Sequence, residues 1–299
     1  MEYKFSIIIP HKDVPDLLDR CLDSIPSHKD FQVIVVDDAS KDKQNIRKVE
    51  VKYPHVEFVY TTESKGAGFA RNIGMKRASG CWLIFADADD FFEKGFVDLL
   101  QSHYHDTEDI IYFNAKSVYS TGLNASSRLD KRNKALLQYM NKPSKISDYC
   151  RYFYTEPWGK MLKASFLVEH SIIFDETIVA NDFFFSVSSG YYAKQISFDV
   201  SVLYVYTERE GSLSNAYCAN ELVLKTRLKV YKRVQDFLDA KNIPYNPFFR
   251  FSMSEYRNPS KEFTAIVREF WKHNNMSMAY VLYRYIIGKL YQYTLGVHI

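Results

Sequence analysis

Three carboxylates crowd into four positions at Asp87-Ala88-Asp89-Asp90, directly after the apolar run Trp82-Leu83-Ile84-Phe85-Ala86. An unbroken apolar run this short suits a strand buried on both faces. A strand puts residues i and i+2 on one side, so Asp87 and Asp89 point together past Ala88. Two neighbouring carboxylates repel each other unless a cation lies between them. Mg²⁺ or Mn²⁺ takes oxygen ligands of this kind and often shares them with a substrate's phosphates. The competing reading is a polar turn after a core strand, with Asp89 or Asp90 capping the next helix.

Other candidate groups lie far apart along the chain. Asp37-Asp38 close a second apolar run, Phe31 to Val36. They either cap the following helix or accept hydrogen bonds from a nucleobase imide or a ribose hydroxyl. Arg71 follows Gly66 and Gly68 at the start of a helical stretch. It is either a surface charge or, beside a helix N-terminus, a group for phosphate. The glycines do not form a Gly-Lys-Ser/Thr phosphate loop, nor do they follow the first strand as a dinucleotide fingerprint would. Asp182 sits between Ile178-Val179-Ala180 and Phe183-Phe184-Phe185. It is an N-cap, or a general base whose partial burial raises its affinity for a proton. Trp158 is either core or a flat platform for an acceptor sugar, with Lys160 beside it as a further acceptor or diphosphate candidate. Arg209 and Ser212 either meet a diphosphate or are ordinary loop residues.

The elements that must position these groups alternate between strand and helix. Phe5 to Pro10 reads as a buried first strand stopped by the proline. Val14, Leu17, Leu18, Cys21, Leu22 and Ile25 follow at helical spacing. Then come strand Phe31 to Val36, helix Lys43 to Tyr53, strand Val56 to Tyr60, the Gly66 helix and the Trp82 strand. This alternation predicts an α/β protein with a parallel sheet flanked by helices. Ligands in such sheets lie beyond the carboxyl ends of the strands, where His11, Asp37, Asp38, Asp87 and Asp89 all fall. Further on, Gly95 to His103 reads as helix and Ile110 to Tyr119 as strand. Thr121 to Pro143 is polar and irregular, and reads as a mobile loop over the site. Short helices over Ile146 to Tyr154 and Ala164 to His170, a helix Asn181 to Tyr192 and a strand Ile196 to Tyr206 complete this part.

At 299 residues, 46% of them hydrophobic, the chain has ample core. The net charge of +3 conceals an asymmetry: from Ala219 onward there are 13 Lys+Arg against 6 Asp+Glu. We therefore read an acidic catalytic domain over 1–218 and a helical, basic, Tyr-rich extension over 219–299. In the extension, Ala279, Leu282, Ile286, Leu290 and Tyr293 form one stripe. It either packs on the domain or rests on an anionic membrane. Met1-Glu2-Tyr3-Lys4 runs straight into a strand without a secretory signal, and no uncharged apolar run of about 18 residues occurs. Cys21 and Cys81 fall among apolar neighbours as reduced thiols would. The expected setting is cytoplasmic, with peripheral membrane contact as the alternative for the tail. Basic residues gathered in one tail rather than across a groove speak against nucleic acid as a partner.

The ordered set Ser6-Ile7-Ile8-Ile9-Pro10, Val35-Val36-Asp37-Asp38-Ala39-Ser40, Ala70-Arg71-Asn72-Ile73-Gly74, Phe85-Ala86-Asp87-Ala88-Asp89-Asp90, Trp158-Gly159-Lys160, Asn181-Asp182 and Arg209-Glu210-Gly211-Ser212 resembles the family 2 glycosyltransferases of the GT-A fold, over about residues 4 to 215. Ala39 stands where that family usually has Gly, and Asn181 where it usually has Glu. The resemblance implies inverting transfer of a sugar from a nucleoside diphosphate donor, commonly a UDP-sugar, to a hydroxyl on a growing surface glycan or lipid-linked glycan. It implies that Pro10 and His11 line the base pocket, that Asp38 holds uracil or ribose, and that Arg71 approaches the nucleotide. Asp87 and Asp89 would organise the donor and a Mn²⁺ or Mg²⁺ ion, Asp89 most directly, and Asp182 would act as base. Two other readings use the same residues: a nucleotide-sugar-binding protein without turnover, and a Mg²⁺-dependent phosphotransferase. The latter generally carries Asp-X-Asp after its first strand, where this chain has Pro10-His11.

Overall fold

The computed structural model describes residues 3–209, 220–257 and 260–295. By chain contacts these divide into two units, one of residues 1–177 and 185–210, the other of residues 178–184 and 211–299.

The first unit is built on one eight-stranded mixed sheet in the order β3-β2-β1-β4-β7-β6-β8-β5. β1 (Phe5–His11) is buried at every residue and lies between β2 (Phe31–Asp37) and β4 (Trp82–Phe85), parallel to both. β3 (Val56–Tyr60) extends the parallel half beyond β2. The apolar runs are those of strands covered on both faces, which is why they do not alternate. β1 continues through Pro10 to His11 instead of stopping at the proline. Ile8 accepts from the Ala86 N–H, so Pro10, two residues on, turns its ring nitrogen to the same side. The ladder with β4 has ended there, and no donor is missed.

Three helices connect this half, α1 (Pro15–Asp23), α2 (Lys43–Lys52) and α3 (Ala67–Arg77), and α4 (Phe96–Ser102) follows it. α1 starts on Pro15, whose missing N–H costs nothing at a first turn, and buries Leu18, Cys21 and Leu22. α3 buries Gly68, Ala70 and Gly74, and a Cβ on Gly74 would run into the Ile8 side chain. These small residues let α3 lie close on β1 and bring Arg71 to the strand ends.

The chain runs from β1 outward to β2 and β3, then returns to the other side of β1 with β4. A crevice therefore opens at the carboxyl ends of β1 and β4, where the connection reverses direction. Beyond β4 the sheet continues with β7 (Lys160–Lys163), antiparallel to both neighbours, then β6 (Ile110–Tyr119) and β8 (Ile196–Glu208), which are mutually parallel. The two-residue β5 (Phe91–Phe92) pairs with β8. The expected loop over Thr121 to Pro143 instead contains α5 (Asp130–Tyr139), which buries Arg132, Leu136 and Tyr139. Leu129, Arg132, Leu136 and Tyr139 share one helical face, hidden in the sequence by the charged residues between them. α6 (Pro143–Tyr152) and α7 (Ala164–Glu169) follow, and α8 (Phe183–Tyr192) precedes β8.

The second unit gathers α9 (Glu221–Ala240), α10 (Pro247–Tyr256), α11 (Lys261–His273) and α12 (Met278–Leu295) around Leu224, Leu228, Phe248, Phe251, Val267, Trp271 and Val281. α9 is capped by the Asn220 side chain and α11 by Ser260. Asn242, at φ 57°, takes the left-handed conformation that ends α9, and Pro247 opens α10. Among the described residues no helix is long and apolar enough to cross a membrane.

Candidate active site

At the crevice two carboxylates from one short turn meet two arginines from distant elements. Arg71 Nη2, on α3, lies 2.5 Å from Asp87 Oδ1. Arg209 Nε, just past β8, lies 2.8 Å from Asp89 Oδ2. Arg71 is almost fully buried and its guanidinium also covers the Phe174 ring. Burial pushes the Asp87 carboxyl up; Arg71 pulls it back, the Asp89 charge pushes again, and the balance is upward.

A second set of bonds holds this turn in place. Asp90 is buried, and it accepts from the Tyr204 hydroxyl (2.9 Å) and the Thr207 N–H (2.6 Å), both on β8. Burial, then the Asp89 and Asp87 charges, push its carboxyl well above the usual range. The Tyr204 oxygen in turn accepts from the Asp87 N–H at 2.8 Å. Arg20, in the last turn of α1, donates to the Asp89 carbonyl (2.6 Å) and to Thr207 Oγ1 (3.2 Å).

At the neighbouring strand ends, Asp38 is buried and accepts from the Lys65 N–H (2.9 Å), the Gly66 N–H (2.9 Å) and Ser64 Oγ (2.7 Å). It ties the loop before α3 to the end of β2, with one of about four lone-pair positions left over. His11 is also buried: Val14 N–H donates to its Nε2 at 3.3 Å, which assigns the ring proton to Nδ1, 2.9 Å from Asp37 Oδ1. Burial works against ionisation of Asp37, but bonds from His11 and Ser40 outweigh it and hold the carboxyl below its ordinary range. Ala39 completes the turn at φ 53°, in the region that favours glycine.

Comparison with known proteins then settles the family. The family model described as "Glycosyl transferase family 2" matches residues 6–155, half of the chain. The chain belongs to glycosyl transferase family 2. It is 31% identical over 250 residues to a poly(ribitol-phosphate) beta-glucosyltransferase of Bacillus spizizenii, covering 79% of this chain and 36% of that relative. The chain spans about a third of the length of the curated relatives it matches first. A crystal structure of Staphylococcus aureus TarS residues 1-349 in complex with UDP-GlcNAc superposes with a TM-score of 0.69 at 20% identity, covering 99% of this chain and 93% of that one. The mannosyltransferase PcManGT of Pyrobaculum calidifontis, in complex with GDP-Man and Mn²⁺, gives a TM-score of 0.53 at 14% identity, over 97% and 87% of the two chains. These likenesses show the GT-A fold.

Within this family 2 chain the sequence-derived candidates separate into four groups. Pro10, His11, Asp38, Arg71, Asp87, Asp89 and Arg209 gather at the carboxyl ends of β1, β2 and β4 and the end of β8. Trp158 and Lys160 do not belong to an open site, and their assignment to acceptor or diphosphate is corrected here. Trp158 is buried, with one ring face stacked on Tyr204 at 5.0 Å and the Arg132 guanidinium 5.0 Å from its ring centre. A platform for a sugar needs a free face. Lys160 is buried, with Nζ 2.8 Å from the Tyr154 carbonyl and 3.4 Å from Ser186 Oγ, so its charge is spent inside the fold. Asp182 stands in the second unit, half-buried in the turn before α8. Ser212 lies outside the described residues.

Sequence reasoning missed Arg20, Tyr204 and Thr207. A basic residue in a last helical turn is ordinary, and a Tyr and a Thr on a strand signal nothing by spacing. As for a metal, among the described residues no group of three His, Cys, Asp or Glu side chains is arranged to hold an ion. Asp87 and Asp89 offer oxygen ligands from one turn. Such a donor set fits a hard cation that completes its shell from substrate phosphates and water rather than from the protein.

Proposed function

We propose that this glycosyltransferase moves a sugar from a nucleoside diphosphate donor, most simply a UDP-sugar, to a hydroxyl on a cell-surface polymer, with inversion at the anomeric carbon. The observation that carries the reading is the pairing of Asp87 with Arg71 and of Asp89 with Arg209 at the crevice beside β1. Two charge-balanced pairs accept a diphosphate and a cation together without leaving net buried charge, because the anion engages the arginines as the cation engages the carboxylates. The polymer acceptor is supported by the poly(ribitol-phosphate) transferase among the relatives, and the UDP-sugar by the ligand of the TarS complex.

In this reading Pro10, His11 and Asp38 bound the base and ribose pocket. Arg71 approaches the nucleotide, and Arg209 with Ser212 meets the diphosphate. Asp87 and Asp89 would hold Mn²⁺ or Mg²⁺, which when bound offsets the negative charge on the departing diphosphate. Asp182 accepts the proton of the acceptor hydroxyl as its oxygen bonds to the anomeric carbon and the bond from that carbon to the diphosphate oxygen breaks. A single in-line displacement needs one base, unlike the carboxylate pair of a glycoside hydrolase.

The test is transfer from a panel of nucleotide sugars, with and without Mn²⁺, by wild type, Asp89→Ala and Asp182→Ala. Both variants are expected to lose transfer by more than about a hundredfold, in the range of a missing general base or charge stabiliser. Only Asp89→Ala should also weaken metal-dependent nucleotide binding. Full turnover by Asp182→Ala removes it as the base.

A further inference from the structure

α12 turns an apolar face away from its own core. Its inward side is settled by contacts: Val281, Gly288 and Gln292 are buried, and Arg284 reaches Asp239 (2.5 Å) and Asn246 Oδ1 (3.0 Å). Ala279, Leu282, Tyr283, Ile286, Leu290 and Tyr293 recur at helical spacing on the opposite side. The five large ones are between 42% and 73% exposed. A contiguous apolar stripe left in water along several turns marks a contact surface, since scattered exposed residues would not line up this way.

Charge decides what covers it. α12 contains no Asp or Glu over its eighteen residues. Along one edge of the stripe, Lys289 Nζ lies 4.9 Å and the Arg257 guanidinium 5.3 Å from the same Tyr285 ring. The Arg257 Nη1 also lies 3.5 Å from the Tyr285 hydroxyl. Among the described residues neither cation has a carboxylate within ion-pair distance. Their shared neighbour is a phenol, which leaves two uncompensated positive charges beside an apolar stripe edged with tyrosines. Two copies joined symmetrically through this face would set like charges against each other with no acid to answer them.

We propose that the outward face of α12 docks the protein, peripherally and reversibly, on an anionic lipid surface. Leu282, Ile286 and Leu290 enter the headgroup boundary, while Arg257 and Lys289 meet lipid phosphates. The proposal does not depend on the donor or on the role of Asp182.

The test is flotation of the whole chain with phosphatidylcholine vesicles, with or without phosphatidylglycerol. Wild type is expected to partition onto the anionic vesicles. Arg257→Gln/Lys289→Gln should lower that partitioning about 25-fold, about fivefold per cation, and leave binding to neutral vesicles unchanged. Ile286→Asp/Leu290→Asp should lower it by more than about tenfold, with circular dichroism and turnover on a water-soluble acceptor unaltered. Absence of wild-type flotation, or flotation that survives Ile286→Asp/Leu290→Asp, overturns the proposal. So does a dimer in sedimentation equilibrium that this same variant dissociates, since a second copy would then be the occupant.

Discussion

Cutting the Arg71–Asp87 pair tests whether the crevice is built on balanced charge. Charges about 4 Å apart at an effective dielectric near 20 attract by about 4 kcal/mol. Arg71 is 5% exposed but Asp87 is 31% exposed, and solvent on that side screens the attraction. A coupling of about 2 kcal/mol is what remains. Asp87→Asn keeps the shape and removes the negative charge facing the buried guanidinium; Arg71→Met keeps the stem and leaves Asp87 facing Asp89 and Asp90. Each single change should cost about 2–3 kcal/mol, below the roughly 3–5 kcal/mol for removing one partner of a fully buried pair, because Asp87 is partly open to solvent. The double variant should cost little more than the worse single one. Urea unfolding followed by tryptophan fluorescence in a Trp271→Phe background reads this unit, since the two remaining tryptophans, Trp82 and Trp158, both lie in it. If the cycle gives a coupling below about 0.5 kcal/mol, the pairing is incidental and the charge-balance argument fails.

Two further outcomes follow from features away from the pair. Ala39 holds a φ of 53°, which costs an L-residue about 1–2 kcal/mol, while glycine gives back about 0.5–1 kcal/mol in unfolded-state entropy. Ala39→Gly should therefore stabilise by about 0.5–1 kcal/mol, visible as a higher urea midpoint, and a lower midpoint would refute the strain. His103 bridges Asp106 (2.7 Å) and Asp199 (2.9 Å). Burial lowers its proton affinity, the two carboxylates raise it, and the balance is upward. The folded state thus holds the proton more tightly than the unfolded chain does. The stabilisation is complete below about 6.5, the unfolded value, and is lost as pH rises through the folded value. Melting temperature should fall across that window in wild type and stay flatter in His103→Gln; parallel curves would remove His103 as the cause.

Much of the first unit was legible in the chain because its signals are short-ranged. A buried strand declares itself in the five residues of Trp82 to Ala86, and a helix such as α1 in the recurrence of Leu18, Cys21 and Leu22. Asp87 and Asp89 could be placed at a strand's end without coordinates, since the run that precedes them ends abruptly. Ala39 was visible as an oddity, but its cause, a left-handed backbone, was not. α5 escaped because a helix that buries an arginine among its apolar positions does not show an ordinary hydrophobic period.

The residues' own order thus determined which elements form and which carboxylates end them. Only the tertiary structure decided which cation each carboxylate meets. Arg209 reaches Asp89 across 120 positions because β8 runs beside β5 and β6 in the sheet, and nothing within a few residues of either one encodes that neighbour. The same holds for Lys160. Its type suggested a phosphate, but burial beside the Tyr154 carbonyl takes its charge out of reach of any ligand, because a lysine enclosed in the fold must bond to what encloses it.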